Sequence, residues 1–450
     1  MKRNNFSHLF SLFIPFFFLL ISCNDDTEVK PASPTKPSYI KIVSSQNYFP
    51  DGGFLVLHET DGTFLESITV TGDGTYEFKD LKKYNYTLSI IKRNNHQNQT
   101  RYRIETLNSL ENGEIALVGN NYNPNNYGRA RIVSVHDIKS DQTSVNSIPF
   151  RDHVRTGIDS TKFTTLLYVH YLSNAEKNRI ALLSTVYDND GESGNYEWFN
   201  SDYKVNQVNT YQYSLSKTMK RKRVSSIGDL VINEIKLFSK ANPGNNNHPP
   251  QRLLHFKNIY NPPTGFPYIL YAEPQPNDFQ YYVTQFTHNE TDQSYYKSTF
   301  IDLIAPSAIL EYYGATVKAQ YDKDNKVIND IQTQIANNAD AITSIWTYND
   351  DDILWLYTTQ PEKNKHILPK FSDAINTAIG LNNLDNLKAL GIHTNKQSDI
   401  AKYQEYIKQK YSFSSKHVNY NIRQFSYFYF FEIGMKETYK AVDHQFKDYH

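Results

Sequence analysis

Few residues in this 450-residue chain are placed to do covalent or coordination chemistry. Cys23 is the sole cysteine, so no intrachain disulfide and no cysteine metal site can form. It stands in Leu20-Ile21-Ser22-Cys23-Asn24-Asp25-Asp26-Thr27-Glu28, after a small residue and before an acidic run. Tyr187-Asp188-Asn189-Asp190-Gly191-Glu192 gathers oxygen donors in a turn. Asp188, Asp190 and Glu192 are its candidate calcium ligands, because calcium takes about six to eight oxygens from a flexible loop. Gly191 is misplaced for an EF-hand, and a plain hairpin turn is the competing reading. Asp350-Asp351-Asp352 is read as a turn in the same way. The histidines show no His-Glu-x-x-His spacing, and the neighbours His136-Asp137 and Asp152-His153 do not make a relay by adjacency alone. No Gly-x-Ser-x-Gly elbow is present. Two carboxylates could meet in a glycosidase-like cleft, but the sequence singles out no pair. No catalytic residue and no cofactor is therefore assigned. Tyr281-Tyr282, Tyr295-Tyr296, Tyr312-Tyr313 and Trp346 with Trp355 offer ring faces for sugar C–H groups, although aromatics in β proteins mostly fill cores. Lys217 and Lys220-Arg221-Lys222-Arg223 form one basic run, suited to an anionic polysaccharide or to a solvated strand edge.

The segment that leads to Cys23 has a basic start, Lys2 and Arg3, and an apolar core from Leu9 to Ile21. That core fits the roughly 7–15 residues of a secretory signal. It is shorter than the roughly 20 residues of a membrane-spanning helix. The site resembles the lipobox of bacterial lipoproteins. The resemblance implies cleavage after Ser22 and a diacylglyceryl thioether on Cys23. Acyl chains contribute about 0.8 kcal/mol per buried methylene, enough for two or three chains to hold a protein on a bilayer. Asn24, Asp25, Asp26 and Glu28 resemble the acidic export signal of Bacteroidota-type surface lipoproteins, which implies the outer face of the outer membrane. Val29 to Pro37 carries the Pro and Ser content of an extended spacer. Lys+Arg and Asp+Glu both number 47, so no net charge draws the chain to nucleic acid, which is not an expected partner.

The elements that would carry these residues are mainly β. From Ser38 to Ile91, short alternating runs are punctuated by Asp51-Gly52-Gly53, Asp61-Gly62 and Gly72-Asp73-Gly74, the spacing of a small sandwich. Asp73-Gly74-Thr75-Tyr76-Glu77-Phe78, Leu81 and Tyr86-Thr87-Leu88 resemble the carboxypeptidase-regulatory-like or collagen-adhesin B-type domain, a prealbumin-like sandwich. Asn85 replaces its usual glycine. Such domains serve as spacers or recognition modules. Some relatives carry a Lys–Asn isopeptide, for which Lys41 and Glu77 are the nearest counterparts, without a clear asparagine. Further on, Thr164–Tyr171 is expected to pair with Arg179–Tyr187, and Ile342–Tyr348 with Ile353–Tyr357. Phe371–Leu390 suggests two short helices broken near Gly380 and Asn382-Asn383. Ile400, Tyr403, Tyr406 and Ile407 share one helical face, and Asn419–Ile433 reads as a buried strand.

The expected organisation is a signal peptide (1–22), a lipidated tether (23–37), the sandwich (38–92), a β-rich body (93–370) and an α+β C-terminal region (371–450). The leading expectation is a lipid-anchored protein at the outer membrane, facing outward, that binds a glycan or a protein without catalysis. Alternatives are a surface polysaccharide hydrolase and an accessory subunit of an outer-membrane complex.

Overall fold

Two neighbouring apolar runs, Ala341–Tyr348 and Ile353–Thr359, set the centre of the structure. Every residue of both is buried, so each is covered on both faces. They pair antiparallel with Trp346 opposite Trp355, as the sequence predicts. Each indole N–H finds a buried hydroxyl at 2.9 Å: Trp346 donates to Ser344 Oγ and Trp355 to Thr106 Oγ1. Truncating either tryptophan to alanine would cost roughly 3–5 kcal/mol.

The computed structural model describes residues 37–45, 47–96, 99–119, 279–302, 309–310, 316–334, 339–349, 352–398, 400, 402–412 and 422–447, and only the strands between 127 and 271. Pro37–His450 is one compact unit. Its N-terminal strands are β1 (Ile40–Ser45), β2 (Gly53–His58), β3 (Phe64–Val70), β4 (Gly74–Phe78), β5 (Asn85–His96), β6 (Gln99–Glu111) and β7 (Gly113–Val118). Next come β8 (Tyr127–His136), β9 (Gln142–Pro149), β10 (Val154–Asp159), β11 (Lys162–Leu172), β12 (Arg179–Asp188), β13 (Gly194–Asp202), β14 (Val208–Tyr213), β15 (Lys217–Thr218), β16 (Lys220–Arg223), β17 (Ser225–Ser226), β18 (Glu234–Ala241), β19 (Gln251–His255) and β20 (Tyr268–Tyr271). The last group is β21 (Phe279–Thr291), β22 (Ser294–Asp302), β23 (Ile309–Leu310), β24 (Thr316–Asp322), β25 (Val327–Gln334), β26 (Ala341–Tyr348), β27 (Ile353–Thr359), β28 (His366–Ile367), β29 (Leu387–Gln397) and β30 (Ile422–Phe430). Helices α1 (Asp373–Ile379), α2 (Tyr403–Ser412) and α3 (Met435–Lys447) all lie in the C-terminal region. The chain is thus mainly β, with an α+β C-terminal region.

The dominant sheet has the order β19-β18-β21-β22-β30-β29-β26-β27-β6-β5-β2-β3. Its one parallel junction joins β27 to β6, where the C-terminal strands meet the N-terminal ones. One face carries Val56, Ile91, Ile104, Trp355 and Trp346, closed by Val317, Ile328 and Ile331 of β24 and β25 and by Ile375 and Ile379 of α1. On the other face Leu55, Leu57, Ile90 and Leu107 meet Ile40, Ile42, Phe78, Ile115 and Leu117 of the β4-β1-β7 sheet. Tyr403, Ile407 and Tyr411 seal that core from α2, one helical stripe at four-residue spacing. Farther along this face, Tyr439 and Val442 of α3 pack on Leu354, Leu356, Phe428 and Phe430. The N-terminal strands therefore form a pair of sheets stacked face to face. The boundary expected after residue 92 falls inside β5, and β6 and β7 extend the two sheets to Val118.

Two expectations are corrected. β11 does not pair with β12: β11 joins β10 and β8, and β12 joins β13 and β9, in separate sheets. Fewer residues separate β10 from β11 and β12 from β13 than separate β11 from β12, so those pairings close shorter loops. The second short helix expected before Leu390 is only a 3-10 turn at Leu384–Asn386, and Leu387 begins β29. Leu387 and Ala389 fill one core while Leu390 fills another. That two-sided burial is strand geometry, which helical spacing of leucines mimics. The first helix matches: Ser372 caps α1 through Ile375 N–H, and Gly380, at φ 76°, ends it in the left-handed region.

Candidate functional site

Cross-strand register builds a row of rings on the face that carries Trp346. His288 of β21 lies opposite Tyr296 of β22, Tyr296 opposite Tyr427 of β30, and Tyr427 opposite Thr394 of β29. The His288 and Tyr296 rings stack at 6.2 Å and 18°, and Tyr296 and Tyr427 approach to 4.6 Å. One pleat farther on, Phe425 lies opposite Lys396. Tyr296, Thr394, Lys396, Phe425, Ser426 and Tyr427, with Ala339, line a small cleft of about 10 Å³, room for roughly one water molecule. Its polar groups are fixed from behind. Lys396 Nζ donates to Asp340 Oδ1 at 2.7 Å, and Asp340 Oδ2 accepts the Gln397 N–H at 2.7 Å. The Tyr427 hydroxyl donates to Glu290 Oε2 at 2.9 Å, which also accepts the Ser294 hydroxyl at 3.1 Å. The Tyr296, Phe425 and Tyr427 rings are only 9 %, 8 % and 6 % exposed, so the cleft offers ring edges, one ammonium and anchored hydroxyls at its rim.

A second polar group lies on the opposite face of the sheet, near the parallel junction. Glu105 accepts Arg103 Nε at 2.8 Å, pairs with Lys410 Nζ at 3.2 Å and accepts the Tyr411 hydroxyl. Lys92 is buried in the same group, with Nζ 4.2 Å above the Tyr48 ring. Burial alone would raise the Glu105 carboxyl, but Lys410, Arg103, the Tyr411 hydroxyl and Lys92 outweigh it and hold it well below the usual range. Burial and Arg103 push Lys92 down to about 8. Asp443 of α3, also buried, adds its charge to this group. The arrangement ties α2 to the N-terminal strands across more than 300 residues of sequence, the Tyr411–Glu105 separation being 306.

A serine–histidine contact also exists, but it is not a catalytic dyad. His58 Nε2 lies 3.2 Å from Ser89 Oγ, which lies 2.8 Å from Thr106 Oγ1. All three residues are 0 % exposed, so no substrate reaches them. Burial pushes His58 down to about 4.

The residues singled out by sequence are distributed as follows. Cys23, Asn24, Asp25, Asp26 and Glu28 lie outside the described residues, as do Asp190, Glu192, Tyr312-Tyr313 and Asp350-Asp351. Asp188 ends β12 opposite Gln142. Among the described residues no cluster of three or more His, Cys, Asp or Glu side chains has the placement to hold a metal ion. Lys41 faces Glu77 and Glu114 across β4 and β7, and its ammonium pairs with Glu114 at 2.8 Å on the surface. Trp346 and Trp355 are core, not platform. Tyr295 packs beneath α3 with Phe428, whereas Tyr296 faces the cleft, because successive strand residues point to opposite faces. The basic run forms β15 and β16, with Lys217 and Lys220 exposed. Sequence reading missed Lys396, Phe425 and Tyr427, and it missed Glu105 with its cations; only strand register and long-range pairing bring these together. No protein-family model matches the chain, and no curated protein matches it.

Proposed function

We propose that the chain is a lipoprotein anchored through Cys23 at the outer membrane, exposed to the exterior, and that it binds a glycan through the cleft between β22, β29 and β30 without catalysing a reaction. The observation that carries the binding reading is the alignment of the Tyr296, Tyr427 and Phe425 ring edges with Lys396 around one small cleft, which a ligand would have to widen. Sugar rings present C–H faces to such rings and hydroxyls to the polar edge. The acids nearest the cleft are already engaged, Asp340 by Lys396 and Glu290 by Tyr427 and Ser294, which favours binding over acid–base chemistry. Membrane attachment rests on the Leu20–Cys23 run, and outward export on Asp25, Asp26 and Glu28. The prealbumin-like resemblance of the first strands supports a non-catalytic module.

Affinity electrophoresis against a panel of bacterial and plant polysaccharides tests the binding reading. Phe425→Leu keeps most of the core volume but removes a ring face, and Tyr427→Phe removes one hydroxyl. Binding of at least one polysaccharide, weakened about tenfold by Phe425→Leu while the variant, destabilised by about 1 kcal/mol, stays folded at the assay temperature, is the expected result. No retardation by any polysaccharide, or retardation indifferent to both variants, contradicts it.

A further inference from the structure

The large sheet ends at β3, and among the described residues no strand pairs beyond it. β3 pairs with β2 on one side only. Among the described residues, none donates to or accepts from its outer edge. Leu65 is 41 % exposed, Glu66, Ser67 and Thr69 are exposed, and Ile68 is half-buried against the core beneath the β4-β1-β7 sheet. Natural edge strands are commonly guarded by lysines or proline. The sequence Phe-Leu-Glu-Ser-Ile-Thr-Val has neither. One bulge is present: the register passes from Leu57 opposite Glu66 to His58 opposite Phe64, leaving Leu65 unmatched. The regular stretch is therefore Glu66–Val70, with Ile68 at its centre.

We propose that this edge is a dimer interface, filled by β3 of a second copy of the chain running antiparallel about a two-fold axis at Ile68. An isologous contact requires a self-complementary strand, and this one is self-complementary in that register. Ile68 lies opposite Ile68 of the second copy, and its half-buried side chain is then covered. Ser67 lies opposite Thr69 of the second copy, and the pair recurs by symmetry, a favourable hydroxyl match. Glu66, the only charge in the strand, lies opposite Val70 of the second copy. Centring on Glu66 instead would set two carboxylates face to face, and centring on Ser67 would force the bulged Leu65 into the ladder. The free backbone N–H and C=O groups of both edges pair with one another, and the two sheets become continuous.

Sedimentation equilibrium of the chain carrying Cys23→Ser, so that no thiol is present, reads the outcome directly. A reversible dimer at micromolar concentration is expected. Ser67→Lys with Thr69→Lys places two like-charge pairs opposite each other and should weaken the dimer by at least about tenfold. Ser67→Lys with Thr69→Glu turns the same two pairs into opposite charges and should restore it. Both double variants alter only exposed positions, and the second shows whether the first acts through pairing or through folding. A chain that stays monomeric at all concentrations overturns the proposal, as does a dimer that ignores the Lys/Lys variant or is not restored by Lys/Glu.

Discussion

Replacing Glu105 with glutamine tests whether the buried charge group holds the C-terminal helix to the N-terminal strands. The side chain is 7 % exposed and faces Arg103, Lys410 and the Tyr411 hydroxyl directly, with Lys92 close by. Three cations there face two carboxylates, Glu105 and Asp443; the variant leaves three facing one. Glutamine keeps the shape, so the loss is electrostatic. Removing one partner of a buried ion pair costs roughly 3–5 kcal/mol, because the remaining charge stays desolvated. With a urea slope of roughly 2–3 kcal/mol per molar, the unfolding midpoint falls by about 1–2 M. Trp346 and Trp355, at 0 % and 1 % exposure, make intrinsic fluorescence a suitable probe. Lys83→Ala is the control: it breaks the surface pair with Glu59, and the midpoint should not move. A loss below about 1 kcal/mol for Glu105→Gln would refute the reasoning, since it would mean that solvent or another anion already neutralises the cations.

Three further outcomes follow from burial. Lys92 is depressed to about 8 from 10.5, so its contribution to stability is present above 10.5 and is lost as pH falls through about 8. Wild type should gain stability between pH 8 and 10 relative to Lys92→Met, measured by urea midpoints; parallel curves would contradict this. His366 is 0 % exposed, neither ring nitrogen has a hydrogen-bond partner among the described residues, and burial holds it down to about 3. Its contribution is present above 6.5 and is lost as pH falls toward about 3, so His366→Leu should stabilise the protein at pH 7 by about 1–3 kcal/mol and blunt its acid unfolding. A less stable variant in thermal melts would count against that accounting. Gly391 sits at the irregularity between β26 and β29, where a Cβ would collide with the Tyr429 carbonyl oxygen and crowd Phe430. Gly391→Ala should cost about 1–3 kcal/mol and lower the melting temperature.

Local patterns in the sequence carried the elements whose partners lie nearby. The Ile342–Tyr357 hairpin, the α2 stripe at Tyr403 and Ile407, the helix break at Gly380 and the strand around Phe425–Phe430 were legible from periodicity and turn residues. Pairing between distant strands was not. Nothing local in Tyr102–Leu107 announces a parallel partner at Ile353–Thr358. Likewise, the leucines of 384–390 fit a helix until both of their faces are seen to be buried. The cleft was half visible: Tyr295-Tyr296 stood out as a pair, but only strand alternation sends Tyr295 to the core beneath α3 and Tyr296 to the core beside the cleft. Lys396 and Tyr427 gave no local signal, because their neighbours come from other strands.

Protease shaving of intact cells tests the central claim, that Cys23 anchors a protein that faces outward. Wild type should be digested, Asp25→Ala with Asp26→Ala should stay membrane-bound but protected, and Cys23→Ala should leave the membrane fraction. Wild type that is membrane-bound yet protected, or Cys23→Ala that remains attached, would contradict the account.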